Sequence, residues 1–154
     1  MECHYDYIIY TDGSCLQNPD GPGGYACLVL NAEKDKILFE ESFGELSTTN
    51  NRMELKAVIL GLSLIETPSK IKLITDSKYI VNAFNQQWVI KWQVDNWQTS
   101  KKIPVSNQDL WFELLNIASF HNVDFEWTKG HENDSYNNYV DKLARDAAYD
   151  IVFD

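Results

Sequence analysis

The sequence predicts an α/β domain built on a mixed sheet with helices on its faces. Two observations carry that reading. Three successive apolar runs, separated by turn residues, come first, and segments of helical and strand period alternate after them. Two of the strand-like runs, Tyr5–Asp12 and Ile71–Asp76, also close on the same dipeptide, Thr11-Asp12 and Thr75-Asp76. Neighbouring strands that end together would deliver both acids to one edge of the sheet. Acids held that close repel unless a cation sits between them or one is protonated, so a metal site is expected.

Each element follows from local sequence. Tyr5–Asp12 is short, apolar and rich in β-branched and aromatic residues, which suits a buried strand. Gly13–Gly24 is turn-rich, with Asn18-Pro19 and Gly21-Pro22-Gly23-Gly24. The β-prone run Tyr25–Leu30 follows it instead of a helix, and the spacing fits neither glycine fingerprint. The loop therefore reads as a wide hairpin whose tip overhangs the Asp12 end of the sheet. Ile37–Phe43 is the third strand of a meander. Thr48-Thr49 offers an N-cap for a helix from Asn50 to Glu66, ended by Thr67-Pro68. The fourth strand reaches Asp76, and a short helix spans Lys78–Asn85. Gln86–Ile103 is tryptophan-rich and polar and yields no assignment. Asn107–Phe120 is amphipathic, with Leu110, Trp111, Leu114, Leu115 and Ile117 apolar. Val123–Trp127 is a fifth strand, Thr128–Tyr136 a polar loop and Asn137–Tyr149 a final helix.

At 154 residues, the span 1–154 fits one domain with a proper core. Hydrophobic and aromatic fractions of 44% and 13% exclude a disordered chain. Cys3, Cys15 and Cys27 are odd in number and form no CxxC pair. They argue against a disulfide framework or a zinc site and for free thiols in a reducing compartment. With no basic leader and no long apolar stretch, a cytoplasmic protein without a membrane span is expected. The net charge of −10 speaks against nucleic-acid binding, since phosphate-binding proteins are usually basic.

Glu54 is the most telling single residue. It heads a helical stripe of apolar or small residues, Ala57, Val58, Gly61 and Ile65, while Arg52, Lys56 and Ser63 lie on other faces. A glutamate in a first helical turn is commonly a solvated partner of the dipole, but this one stands at the packed edge. Asp141 repeats the device near Ala144 and Ala148, although alone it would read as a surface acid. Asp12, Glu54, Asp76 and Asp141 each lie at an element end where the sheet and its helices could converge. Hard oxygen ligands of this kind suit Mg²⁺, with Mn²⁺ as a substitute. Two such ions about 4 Å apart would serve phosphodiester hydrolysis. His131, on the loop before the last helix, is by itself a solvent-exposed loop histidine. Beside a metal site it could accept or deliver a proton and hasten product release.

Four motifs in register then resemble type 1 ribonuclease H: Tyr10-Thr11-Asp12-Gly13-Ser14, Thr48-Thr49-Asn50-Asn51-Arg52-Met53-Glu54-Leu55, Thr75-Asp76-Ser77, and Gly130-His131 followed by Asp141. The resemblance runs from about Tyr5 to Tyr149 and is to the stand-alone, bacterial-like form. It implies the ribonuclease H-like fold, a five-stranded mixed sheet of order 3-2-1-4-5, acting as a monomer. It further implies two Mg²⁺ ions that cut the RNA strand of an RNA/DNA hybrid, leaving 5′-phosphate and 3′-hydroxyl ends. By position, Asp12, Glu54, Asp76 and Asp141 look like the family's metal-binding acids and His131 like its loop histidine. Asn18, Asn51 and Gln86 fall where relatives contact the hybrid, and Asn137 matches the asparagine before the last acid. Thr49, Asn50 and Arg52 match the segment that grips a DNA phosphate, as a helix N-terminus can.

Telling RNA from DNA requires reading the 2′-OH, and cutting any sequence requires contacts to sugar and phosphate. The loop Cys15–Asn18 and the Asn51 region would supply neutral donors. Trp88, Trp92 and Trp97 resemble the family's basic protrusion, with Trp88 and Trp97 doubling as a small aromatic core. Here the chain departs from its relatives. Over Gln86–Phe112, Lys91, Lys101 and Lys102 stand against Asp95 and Asp109, so 3 − 2 = +1. Lys78, directly after the second Thr-Asp pair, is expected to compensate in part. Two alternatives remain open: a DNA-cleaving, resolvase-type enzyme of the same fold, and a non-catalytic nucleic-acid binding module.

Overall fold

The structure is a computed structural model, and residues 4–129 and 134–153 are described. The elements run β1 (Tyr7–Cys15), β2 (Gly23–Asn31), β3 (Ile37–Glu45), α1 (Asn50–Ser63), β4 (Lys70–Thr75), α2 (Lys78–Asn85), α3 (Trp88–Val94), α4 (Gln108–Phe120), β5 (Asn122–Trp127) and α5 (Ser135–Phe153). They form a five-stranded sheet of order β3-β2-β1-β4-β5, as expected. The meander β1–β2–β3 is antiparallel, and β4 and β5 add in parallel. Parallel addition requires crossovers, and α1 supplies the one from β3 to β4.

The period-two geometry of a strand explains the two cores. In β1, Ile9 points toward α1 and packs with Leu55, Val58 and Leu62, while Ile8 and Tyr10 point the other way and pack with Val140 and Ala144 of α5. Burying one such aliphatic side chain contributes about 1.5–3 kcal/mol. Helix α5 lies unusually close to β2. A Cβ on Gly24 would sit 2.1 Å from the Ala144 carbonyl oxygen and 2.7 Å from the Ala148 nitrogen. Only glycine, facing the alanines of α5, allows that approach.

Most elements shift by a few residues at their ends, with β2 at Gly23–Asn31, β3 reaching Glu45 and α5 spanning Ser135–Phe153, and three differences from the sequence reading have a clear local reason. Strand β1 continues past Asp12 to Cys15 because its antiparallel partner continues with it, pairing Gly13, Ser14 and Cys15 with Tyr25, Gly24 and Gly23. Helix α1 stops at Ser63, where the Leu64 N–H turns back to the Gly61 and Leu62 carbonyls. Between Gln86 and Ile103 the chain forms α3, flanked by left-handed residues Gln87, Asn96 and Trp97 with φ of 60°, 57° and 59°. The tryptophans there fold onto α4. Trp92 meets the fully buried Trp111 edge-on at 5.1 Å, and Trp97 meets Phe112 at 4.5 Å. Trp92 therefore shares the aromatic core expected of Trp88 and Trp97.

Candidate active site

Strand register assembles the site. Thr11 of β1 lies level with Thr75 of β4, so Asp12, still within β1, and Asp76, directly after β4, come side by side. Beyond Thr11 the β1 side chains keep alternating, which turns Asp12 toward α5 and Gly13 toward α1. A Cβ on Gly13 would lie 2.3 Å from both Glu54 N and Met53 C, so glycine is what lets the first turn of α1 close onto β1. The Gly13 N–H donates to the Glu54 carboxylate and, at 2.9 Å, to Asp12 Oδ1.

One carboxylate oxygen from each of Asp12, Glu54 and Asp76 lies within 4.8 Å of the others. Asp12 is 4% exposed and Glu54 8%, while Asp76 faces solvent. Burial, then the charges of Glu54 and Asp76, push the Asp12 carboxyl up to about 12. Burial and Asp76 raise Glu54 to about 8, against the opposing hydrogen bonds from Asp12 and Gly13. Alone, the cluster holds a proton that a bound cation would displace. Buried hard oxygen donors with uncompensated negative charge are a donor set that fits a divalent metal.

Asp141 lines the same cleft, of about 380 Å³, with Gly13, Ser14, Asn50, Asn51 and Lys78. It lies outside the group of three and pairs with Arg145 at 3.0 Å, yet it is near enough to hydrogen-bond with Asp12. The other expected contacts divide between this cleft and more distant positions. Asn18 Oδ1 accepts the Asn50 N–H at 3.2 Å, tying the β1–β2 loop to the start of α1. The Thr49 hydroxyl caps α1 by accepting the Arg52 N–H at 3.2 Å. Arg52 is not free. Its guanidinium donates to both Asp109 oxygens at 3.0 and 2.8 Å and to Asn107 Oδ1 at 3.3 Å.

Cys15 ends β1, its Sγ 3.1 Å from the Gln17 carbonyl, and is not among the residues lining the cleft. Gln86 follows α2 at the end away from the acids. Trp88 and Trp92 line a separate groove of about 350 Å³ with Lys91, Asp95, Gln98 and Thr99. Asn137 is buried in the first turn of α5, its N–H donating to Asp134 Oδ1 at 3.2 Å. His131 lies outside the described residues.

Residues to which the sequence reading gave no role at the site also belong here. Ser77 and Tyr79 line the cleft, and Asn107 and Asp109 hold Arg52. Ser77 had a signal, as an N-cap candidate directly before a helix, whereas the 57-residue separation of Arg52 and Asp109 leaves none. Among the described residues no helix is long and apolar enough to cross a membrane.

Comparison with known proteins agrees with this geometry. The RNase H family model matches residues 4–149. Ribonuclease H of Caldicellulosiruptor saccharolyticus is 51% identical over 142 residues, covering 91% of this chain and 94% of that protein. Ribonuclease H of Wolbachia pipientis is 44% identical over 145 residues, covering 94% and 97%. Among solved structures, LC9-RNase H1, a type 1 RNase H with the type 2 active-site motif, superposes with a TM-score of 0.81 at 31% identity, over 97% of this chain and 75% of that one. Paired Thr-Asp strand ends, a glutamate brought in over a glycine, and a match over nearly the whole length lead to one conclusion: the chain belongs to the ribonuclease H family.

Proposed function

We propose that this chain is an endoribonuclease that hydrolyses the RNA strand of RNA/DNA hybrids, leaving 5′-phosphate and 3′-hydroxyl ends. The observation that carries the reading is the convergence of Asp12, Glu54 and Asp76 within 4.8 Å at the sheet edge of a ribonuclease H family member. Asp12, Glu54, Asp76 and Asp141 would hold two Mg²⁺ ions, or Mn²⁺ in their place. Such ions supply a water activated for in-line attack and charge stabilisation at the leaving oxygen.

The chain's own residues do the rest. Gly13 N–H orients two of the carboxylates through its hydrogen bonds to Asp12 and Glu54. Asn51, together with the Cys15 and Asn18 loop, would present neutral donors suited to a ribose 2′-OH. Thr49, Asn50 and Arg52 face the DNA strand at the N-terminus of α1, where an anion is favoured. Gln86, Trp88 and Trp92 extend the track toward the protrusion, and Asn137 braces the start of α5 beneath Asp141. His131 shuttles a proton during product release. We read residues 1–154 as one catalytic domain, acting as a cytoplasmic monomer.

The test is metal-dependent cleavage of matched RNA/DNA, RNA/RNA and DNA/DNA duplexes, with end analysis of the products. RNA-strand cleavage confined to the hybrid is expected. Cutting of the DNA duplex would favour a resolvase-type enzyme, and no cleavage of any duplex would leave a binding module.

A further inference from the structure

Lys78 is the one cation among the described residues lining the acidic cleft. It opens α2, whose N-cap Ser77 accepts the Ile80 N–H at 3.3 Å, so its backbone is fixed. Its side chain is also placed. The ammonium lies 4.6 Å from the centroid of the Trp127 ring. The Trp127 indole N–H in turn donates to the Asp76 carbonyl at 3.1 Å, and its backbone pairs with Thr75. The Trp127 ring thus bridges the Asp76 backbone and the Lys78 ammonium at the ends of β4 and β5.

Other cations on the helices flanking the cleft, α1 and α5, are paired. Arg52 is held by Asp109, Lys56 by Glu45 and Arg145 by Asp141. Among the described residues Lys78 pairs with no carboxylate, although its neighbour two positions back is Asp76 and the cleft holds three further acids. A long, unrestrained lysine there would fold onto the acids and neutralise them. The face of an indole attracts a cation by about 0.5–1 kcal/mol at an exposed site, enough to bias the side chain toward the rim.

We propose that Lys78 is the phosphate contact of the cleft, taking a backbone phosphate of the cleaved strand, and that Trp127 is the positioning residue that holds its ammonium clear of the acids. The inference rests on the hybrid-nuclease reading and adds to it the cation that the weakly charged protrusion lacks.

The test is steady-state hydrolysis of an RNA/DNA hybrid across a salt series, with thermal melting of every variant. Lys78→Met should raise KM about tenfold with kcat nearly unchanged, as expected for one lost charge-assisted contact. It should also flatten the dependence of log(kcat/KM) on log salt by about 0.9, one phosphate's share. Lys78→Arg should restore that slope. Trp127→Leu, which keeps the charge and loses the platform, should raise KM several-fold without changing the slope. If that variant melts early, Trp127→Phe keeps a ring face and should retain KM near wild type. Lys36→Met, in the β2–β3 turn at the far end of the sheet, is the control and should change nothing. A salt slope unchanged in Lys78→Met overturns the phosphate contact. A well-folded Trp127→Leu with wild-type KM overturns the positioning role. Loss of the underlying reading would look different, since wild-type protein would then leave the hybrid uncut, and the proposal would fall with it.

Discussion

Replacing Asp12 with asparagine should make the metal-free protein more stable while abolishing its chemistry. The size of the effect follows from the site. Two full charges within 4.8 Å of one another would repel by about 3–4 kcal/mol or more at the effective dielectric of protein sites. The linkage route gives a similar figure. Asp12 has an ordinary value of 3.8 and is held protonated by burial and by Glu54 at neutral pH. Keeping that proton at pH 7 costs about 1.4 kcal/mol per pH unit above 3.8, or about 4 kcal/mol at most. The sign is fixed: a carboxyl raised on folding leaves stability intact below its unfolded value and removes it progressively as pH rises. The asparagine side chain would still accept the Gly13 N–H, so the local geometry survives. Asp12→Asn should therefore melt roughly 5–15 °C higher than wild type at pH 7 in chelator, from about 2–4 kcal/mol at the usual scaling for a domain of this size. The difference should shrink toward pH 4. Added Mg²⁺ should raise the melting temperature of wild type, by binding only the folded state, and leave the variant nearly unmoved. Single-turnover cleavage should fall by about three orders of magnitude or more, as loss of a group that stabilises transition-state charge does. A variant that melts at or below metal-free wild type, with its circular dichroism intact, would refute the charge argument. Near-wild-type cleavage would refute the assignment of Asp12.

Gly13→Ala should lose about 1–3 kcal/mol or more in urea unfolding and lower cleavage further than that loss explains, because its Cβ would push α1 and Glu54 away from Asp12. Asp109, drawn below its usual range to about 2 by the Arg52 guanidinium, contributes stability above about pH 4 that is lost as pH falls toward 2. The pair is exposed, so Asp109→Asn should remove under about 1 kcal/mol, seen by circular dichroism as a shallower acid limb between those pH values. Asp95 and Gln98 line the Trp88–Trp92 groove, and changing both to lysine should lower KM and steepen the salt dependence with kcat held; a change in kcat with KM fixed would show that the groove does not handle substrate.

What was legible in the sequence was whatever a short window dictates. The twin Thr-Asp endings suggested neighbouring strands because a strand end and its acid are local, and Thr11 pairs with Thr75 in the order that the resemblance implied. Glu54 stood out because a carboxylate heading an apolar helical stripe conflicts with its surroundings, and such conflicts concentrate at functional sites. The protrusion was opaque for the opposite reason. Its turns at Gln87, Asn96 and Trp97 adopt left-handed backbone without the glycine that normally marks it, so no residue type flagged α3. The tertiary contacts there, not local preference, hold those conformations, and Trp92 against Trp111 is one of them.

Charge pairing was the part the sequence hid most completely, and it alters the functional argument. Counting lysines against acids treats every cation as available to substrate, but availability depends on partners distant in sequence. Arg52 sits in the motif that would grip a DNA phosphate, yet Asp109 and Asn107 occupy its guanidinium. A phosphate reaching that fork must displace a carboxylate already bound through two parallel hydrogen bonds, so Arg52 contributes less net attraction than its charge suggests. Lys78 has the reverse character: one charge in an acidic neighbourhood, held on an aromatic face and left without a described acidic partner. In a chain of net charge −10, the few cations kept apart from carboxylates matter more than the total.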